Sequence, residues 1–295
     1  MTYIRKEKRL ALGALDYTSK TTKDLQELAR RVLEEGLHGL CFSPYEEGQS
    51  PGDKISEGQI RRRMEIIQPY TKWIRSFSCT EGNEDIARIA KELGIKTMVG
   101  AWLGDDPETN AEEVANLIEL AKAGYVDIAA VGNEVMLRGD LTEDALLGFI
   151  QQVKEAVPDI PVAYVDAYYE FEERPRIADA CDLILANLYP FWEGCDLNYS
   201  LLYIKDMYRR ALNAAKGKKV IVAETGWPSR GTAVDGAEPS YENYLKYFLN
   251  IQHWAAEEDL EVFYFSSFDE AWKVGAEGDV GAYWGLWDAA ENLKF

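Results

Sequence analysis

A single (β/α)8 TIM barrel, an α/β fold, is what the hydropathy pattern of this chain predicts, with an extra N-terminal helix and a short, irregular C-terminal segment. Three observations lead there. Short apolar runs alternate with amphipathic segments along most of the chain. Eight such runs occur. Each is close to continuously apolar, which suits strands covered by helices outside and packed by side chains inside.

The strands are expected near 38–44, 73–78, 95–101, 127–132, 161–166, 182–188, 219–223 and 261–266. Apolar residues at helical spacing place helices at 57–70, 83–93, 110–123, 142–156, 200–216 and 240–257, with a short fifth helix at 172–180. Asn83 and Thr142 each precede two acidic residues and read as helix caps. Strand–helix alternation implies parallel pairing through right-handed crossovers, and eight strands close a barrel. The residues after 266 are rich in Gly and Trp, and no long helix is expected there. A strong helix at 23–35 precedes the first strand instead, and is expected to complete the outer ring where an eighth helix would lie. No linker, low-complexity run or charge block interrupts the pattern, so 1–295 reads as one domain.

Composition narrows the function. Hydrophobic content of 47% and charged content of 28% are those of a folded chain. The net charge of −19 repels phosphate backbones and anionic lipid, so nucleic acid is not an expected partner, while a neutral sugar is compatible. No run approaches the ~18 apolar residues of a membrane span. The opening Met1-Thr-Tyr-Ile-Arg-Lys-Glu-Lys-Arg9 has no apolar run behind its charges and does not read as a signal peptide. Either no export signal is used, or a leader or neighbouring domain lies outside this chain. Cys41, Cys79, Cys181 and Cys195 lack C-x-x-C spacing, and the first three lie in or beside apolar runs as small hydrophobes would. A Cys181–Cys195 disulfide stays open. With only His38 and His253 present, histidine metal sites and Ser-His-Asp triads have little to draw on. Asn198-Tyr-Ser200 is a glycosylation sequon, of consequence only in a secreted eukaryotic protein.

Barrel active sites lie at the C-terminal ends of the strands. Strand four runs into Gly132-Asn133-Glu134, strand five into Asp166-Ala-Tyr168, and strand six into Asn187-Leu-Tyr189. Strand seven runs into Glu224-Thr-Gly-Trp227-Pro-Ser229, and strand eight into Phe268-Asp-Glu270-Ala-Trp272-Lys273. Carboxylates and aromatic rings together are the composition of a carbohydrate cleft: the former bond hydroxyls, the latter face pyranose C–H surfaces. Glu134 and Glu224 come from opposite sides of the mouth. Glycoside cleavage needs such a pair, ~5–5.5 Å apart if one attacks the anomeric carbon while the other protonates the leaving oxygen. Two ionised carboxylates ~5 Å apart repel by about 3 kcal/mol at an effective dielectric of 20, enough to keep one protonated near pH 6.

These motifs carry a family resemblance. Gly132-Asn133-Glu134 followed by Glu224-Thr-Gly-Trp-Pro-Ser229 resembles the family seventeen glycoside hydrolases, the β-1,3-glucanases and related glucanosyltransferases. Ser43-Pro-Tyr45, Ile74-Arg75 and the strand-eight run fit the same resemblance, over about residues 36–290. It implies a retaining double displacement on a β-glucan oligo- or polysaccharide, with Glu134 as acid/base and Glu224 as nucleophile. It further implies that Asn133 bonds the substrate 2-hydroxyl and Tyr189 donates to the nucleophile. Arg75, Asp166, Glu270 and Lys273 would line the site, and Tyr45, Tyr168, Trp227 and Trp272 would be sugar platforms, though core packing accounts for Trp227 equally well. Trp192, Trp284 and Trp287 are further candidates for the cleft wall. No cofactor or metal is implied, a monomer is compatible, and relatives suggest an extracellular or periplasmic setting. The chain departs from the common pattern at Ile74-Arg75-Ser76-Phe77-Ser78-Cys79, where relatives place an aliphatic residue and Tyr after the Arg. The strand-six to helix-six connection is also short, which implies an open cleft without a rim subdomain.

Endo-β-1,3-glucanase is the leading expectation and β-1,3-glucanosyltransferase the alternative. A non-catalytic sugar-binding barrel would be expected to lack one glutamate. A metal-dependent barrel lyase or isomerase would need Asp166, Glu134, Glu224 and Asp269 to converge.

Overall fold

The computed structural model describes residues 15–295; the reading of the first nine residues lies outside them. Eight parallel strands form a closed barrel in sequence order. They are β1 (Leu37–Cys41), β2 (Thr71–Arg75), β3 (Lys96–Ala101), β4 (Ile128–Asn133), β5 (Val162–Ala167), β6 (Ile184–Asn187), β7 (Val220–Thr225) and β8 (Val262–Tyr264). All eight coincide with predicted runs, with ends shifted by a few residues.

The seam closes by pairing Gly39 with Phe263 and Leu40 with Tyr264. Glycine is needed there, because a Cβ at residue 39 would lie 2.5 Å from the Phe263 ring.

The first helix, α1 (Thr22–Glu35), opens with a reciprocal cap. Thr21 Oγ1 accepts from Asp24 N at 3.2 Å, and Asp24 Oδ2 accepts from Thr21 N at 2.7 Å. Its apolar stripe, Leu25, Ala29 and Leu33, is fully buried. The ring continues with α2 (Glu57–Ile67), α3 (Glu84–Glu92), α4 (Pro107–Lys122), the single turn α5 (Val135–Arg138), α6 (Glu143–Ala156), α7 (Tyr168–Glu173), α8 (Pro175–Ala180), α9 (Leu197–Ala215) and α10 (Tyr241–Glu258). Helix α1 packs against α10 and the turn after α2, which is the place of a helix following β8. The residues after β8 form short turns that fold back, so that Phe295 packs on Tyr244 and Phe248 of α10.

Two local readings differ. Thr142 caps α6 through Ala145 N, but the Asn83 side chain makes no cap and instead donates to Thr80 O at 3.0 Å. The predicted fifth helix is two short helices, parted where Pro175 cannot continue the hydrogen-bond ladder of α7. All four cysteines are free thiols, which closes the question of a Cys181–Cys195 bridge. Among the described residues, no helix is long and apolar enough to cross a membrane.

Candidate active site

The C-terminal strand ends are irregular, and the irregularities aim the side chains. Register shifts fall between Ala130 and Asn133 on β4, between Ala186 and Asn187 on β6, and between Val222 and Thr225 on β7. Such bulges rotate residues off the regular alternation and are common beside active sites. Glu134 itself sits in the left-handed region at φ 52°, a conformation that costs a non-glycine residue on the order of 1–3 kcal/mol. Its amide is held by Val165 O at 2.8 Å. In the strand-seven motif, Gly226 passes so close to the Phe265 carbonyl that any Cβ would collide with it.

Here the two glutamates meet. The Asn187 amide nitrogen donates to Glu134 Oε1 at 2.8 Å and to Glu224 Oε1 at 3.2 Å. The facing oxygens are therefore no farther apart than those two bonds laid end to end. That is compatible with the ~5–5.5 Å carboxyl spacing of a retaining pair.

The two environments differ. Glu224 accepts from the buried Arg75 guanidinium, from Tyr189 OH at 2.7 Å and from Asn187. Arg75 also donates to Asn133 Oδ1 at 2.7 Å, so one fork fixes a carboxylate and an amide together. Among the described residues, only the Asn187 amide donates to Glu134. Burial, then the charge of Glu224, raises its carboxyl to about 7, with the Asn187 bond acting the other way. Loss of hydration is a larger cause than the expected repulsion between the two carboxylates. One carboxyl is thus poised to hold a proton at neutral pH while its partner is held among donors.

The cleft over this pair has a volume of about 430 Å³. Tyr168, Tyr169, Tyr189, Trp192, Phe265 and Trp284 give it aromatic walls, and Asn187, Glu193 and Glu277 add polar groups. Burial, relieved in part by Lys273, raises the Glu277 carboxyl to about 7. Asn187, Tyr169, Glu193, Phe265 and Glu277 line the cleft without a role expected from the sequence. Asn187 alone had a signal, its place at the end of strand six.

Several predicted residues stand behind the wall instead of in it. Asp166 is fully buried, bonded to Tyr164 OH and, at 2.8 Å, to Ala167 N. Tyr164 OH in turn accepts from Met136 N at 2.9 Å, just past Glu134, so Asp166 supports that turn and reaches no sugar. Trp227 is a core residue: fully buried, edge-on to Phe191, with its indole N–H donating to Glu238 O at 3.0 Å. Trp287 packs against Phe268, away from the cleft. Arg75 is 1% exposed and touches Glu224 and Asn133, so it also is not a direct sugar contact. The strand-two departure has a local reason, since the Phe77 ring covers that guanidinium at 4.2 Å.

Glu270 and Lys273 form a buried ion pair at 2.9 Å, with the ammonium 4.0 Å from the Phe265 ring centre, not a pair on the outer rim. Tyr45 and Trp272 pack edge to face at 5.8 Å where the ends of β1 and β8 adjoin. Asp269 is bound to Lys294 at 2.7 Å, so Asp166, Glu134, Glu224 and Asp269 do not converge on one point. Among the described residues, no group of His, Cys, Asp and Glu is placed to hold a metal ion.

Known proteins align with this architecture. A glucan 1,3-beta-glucosidase of Saccharomyces cerevisiae is 26% identical, over 97% of this chain and 95% of its own. A glucan 1,3-beta-glucosidase of Candida albicans is 28% identical, over 79% of this chain and 83% of its own. Among solved structures, the glycoside hydrolase family 17 beta-1,3-glucanosyltransferase of Rhizomucor miehei superposes with a TM-score of 0.79 at 28% identity, covering 88% of this chain and 96% of the other. Residues 39–285 match the BtgE/BtgC glycoside hydrolase domain; the chain belongs to that family, in keeping with the family 17 resemblance of its two glutamate motifs.

Proposed function

We propose that this chain is a retaining enzyme of β-1,3-glucan, acting as one catalytic domain with Glu134 as general acid/base and Glu224 as nucleophile. The observation that carries the proposal is the Asn187 amide shared between the two carboxylates, one accepting two further donors and the other, among the described residues, none. In the first step Glu224 attacks the anomeric carbon while Glu134 gives its proton to the leaving glycosidic oxygen. In the second, Glu134 as carboxylate takes a proton from the incoming hydroxyl, which displaces Glu224 from the sugar. The Asn133 side chain, fixed by Arg75, is offered to the 2-hydroxyl of the reacting unit. Tyr45, Tyr168, Trp272, Glu270 and Lys273 are assigned to flanking sugar contacts or to their support.

Hydrolysis by an endo-β-1,3-glucanase is the leading reading. Transfer to another glucan hydroxyl is the alternative, favoured by the likeness to the Rhizomucor miehei transferase. One experiment separates them: mass spectrometry of products from a defined β-1,3-glucan oligomer in ¹⁸O-water. Labelled shorter products mean hydrolysis, and unlabelled products longer than the substrate mean transfer. Azide rescue tests the roles. Glu224→Ala should yield the inverted α-glycosyl azide and Glu134→Ala the retained β-azide; the opposite products would exchange the assignments.

A further inference from the structure

Strand β3 brings another aromatic side chain to the open end of the barrel, outside the cleft wall. Trp102 follows Ala101, the last residue of β3, and is 40% exposed. A lone exposed ring is ordinary on a protein surface. Trp102 differs in how firmly it is held. Its backbone N–H donates to Glu113 Oε2 at 3.1 Å, and that glutamate is 1% exposed. The same carboxylate accepts from Ser78 Oγ, from Cys79 N at 2.8 Å and from Thr80 Oγ1 at 2.7 Å, so the ends of β2 and β3 share one buried anchor.

From the other direction the Arg138 guanidinium lies over the indole, 4.5 Å from the ring centre. Arg138 is itself fixed. It donates to the carbonyl of Asn133, to Leu103 O at 2.8 Å and to Asp140 Oδ2 at 2.7 Å. The indole is therefore tied through Arg138 to the backbone beside Glu134, and Leu137, next to Arg138 in the chain, is 45% exposed and lines the cleft.

We propose that Trp102 is a remote glucan-binding platform, on which a pyranose ring of a long β-1,3-glucan chain rests after the chain has left the cleft past Leu137. The proposal builds on the glucan-active reading above. A flat ring already immobilised by a cation on one face and an anchored backbone loses little freedom when a sugar covers the rest. A sugar unit bound there is remote from the scissile bond, so its contact strengthens ground state and transition state alike. It acts on KM and leaves kcat unchanged, and only for chains long enough to reach.

The test uses Trp102→Ala and Trp102→Phe, assayed on linear β-1,3-glucans from trisaccharide to polymer. Trp102→Ala should raise KM for the polymer about fivefold, the loss expected from one uncovered sugar face, with kcat unchanged. Kinetics on the trisaccharide should not move, and Trp102→Phe should recover most of the loss. Equal effects on trisaccharide and polymer, or none on either, overturn the platform. Should the alanine variant melt early, Trp102→Gln replaces it. Affinity electrophoresis in polymer-containing gels, with Glu224→Ala as the background, keeps the two proposals apart. If the wild type cleaves no β-1,3-glucan, the catalytic reading fails by itself. The platform then stands if retardation by polymer depends on Trp102, and falls if it does not.

Discussion

The Tyr189 hydroxyl lies 2.7 Å from Glu224 Oε2 and donates to it, while its ring is packed edge-on between Phe265 and Trp284. Burial first, and the neighbouring Glu224 second, push the phenol well above its ordinary range, so it is a donor at any working pH. With Arg75 on the other oxygen, it fixes the plane of the carboxylate. Tyr189→Phe keeps the ring packing and removes only the bond. A hydrogen bond to a charged group is worth roughly 1.5–3 kcal/mol, so kcat should fall about tenfold or more. The melting temperature should stay near that of the wild type. Unchanged kcat would remove the hydroxyl from the catalytic machinery.

With Glu134 in the proposed acid/base role, its proton sets both a rate limb and a stability limb. With its carboxyl raised to about 7, kcat/KM should decline on the alkaline side of pH 7, where the acid form is lost. For stability the sign is that of a raised acid: the native state holds the proton more tightly than the unfolded chain. This contribution is full below pH 4.5, the ordinary value, and is lost as pH rises through about 7. Glu134→Gln should therefore melt about 3–6 °C above the wild type at pH 8 and close to it at pH 4. Asp166, raised to about 6, and Glu277, raised to about 7, drift in the same direction in both proteins. The difference between the two melting curves is what reports Glu134. A constant offset across pH would contradict the assignment.

How much could be read from the residues alone depended on whether a side chain's role is local. Strand and helix positions follow from apolar period, and all eight strands were legible for that reason. That Glu134 and Glu224 would meet was legible because strand ends in a barrel converge on one mouth. The failures are residues whose direction is decided by a bulge or by a neighbour far along the chain. Asn187 gains its bridging position from the register shift at the end of β6. Asp166 turns inward onto Tyr164, and Glu277 is delivered by a short C-terminal turn with no periodic signal.

Trp227 and Trp192 make that distinction measurable. Both flank the site in sequence, yet Trp227 is fully buried and Trp192 is 39% exposed on the cleft wall. Trp227→Ala should cost about 3–5 kcal/mol of stability, as deletion of a core aromatic does. Trp192→Ala should leave the melting temperature within a degree or two and raise KM severalfold, the loss of one apolar sugar contact. Thermal denaturation and oligosaccharide kinetics on the two variants would show the reverse pattern if Trp227 were the platform.

Lys294 ties the C-terminal segment to the loops after β7 and β8. Its ammonium donates to Asp269 Oδ1 at 2.7 Å and to Ser229 Oγ at 3.2 Å, and both Asp269 and Ser229 are buried. Burial raises the Asp269 carboxyl and lowers the Lys294 ammonium, so for each group desolvation outweighs the attraction of its partner. Such a pair is worth little against an apolar replacement, but breaking one side strands a buried charge. Lys294→Met should destabilise by about 3–5 kcal/mol, and Asp269→Asn combined with Lys294→Met should recover much of that loss. Because Asp269 precedes Glu270 and Ser229 ends the strand-seven motif, the single variant should also lose activity, and the double variant should regain part of it. A double-mutant cycle in urea gives the coupling directly, and additive losses would mean that the two side chains act independently.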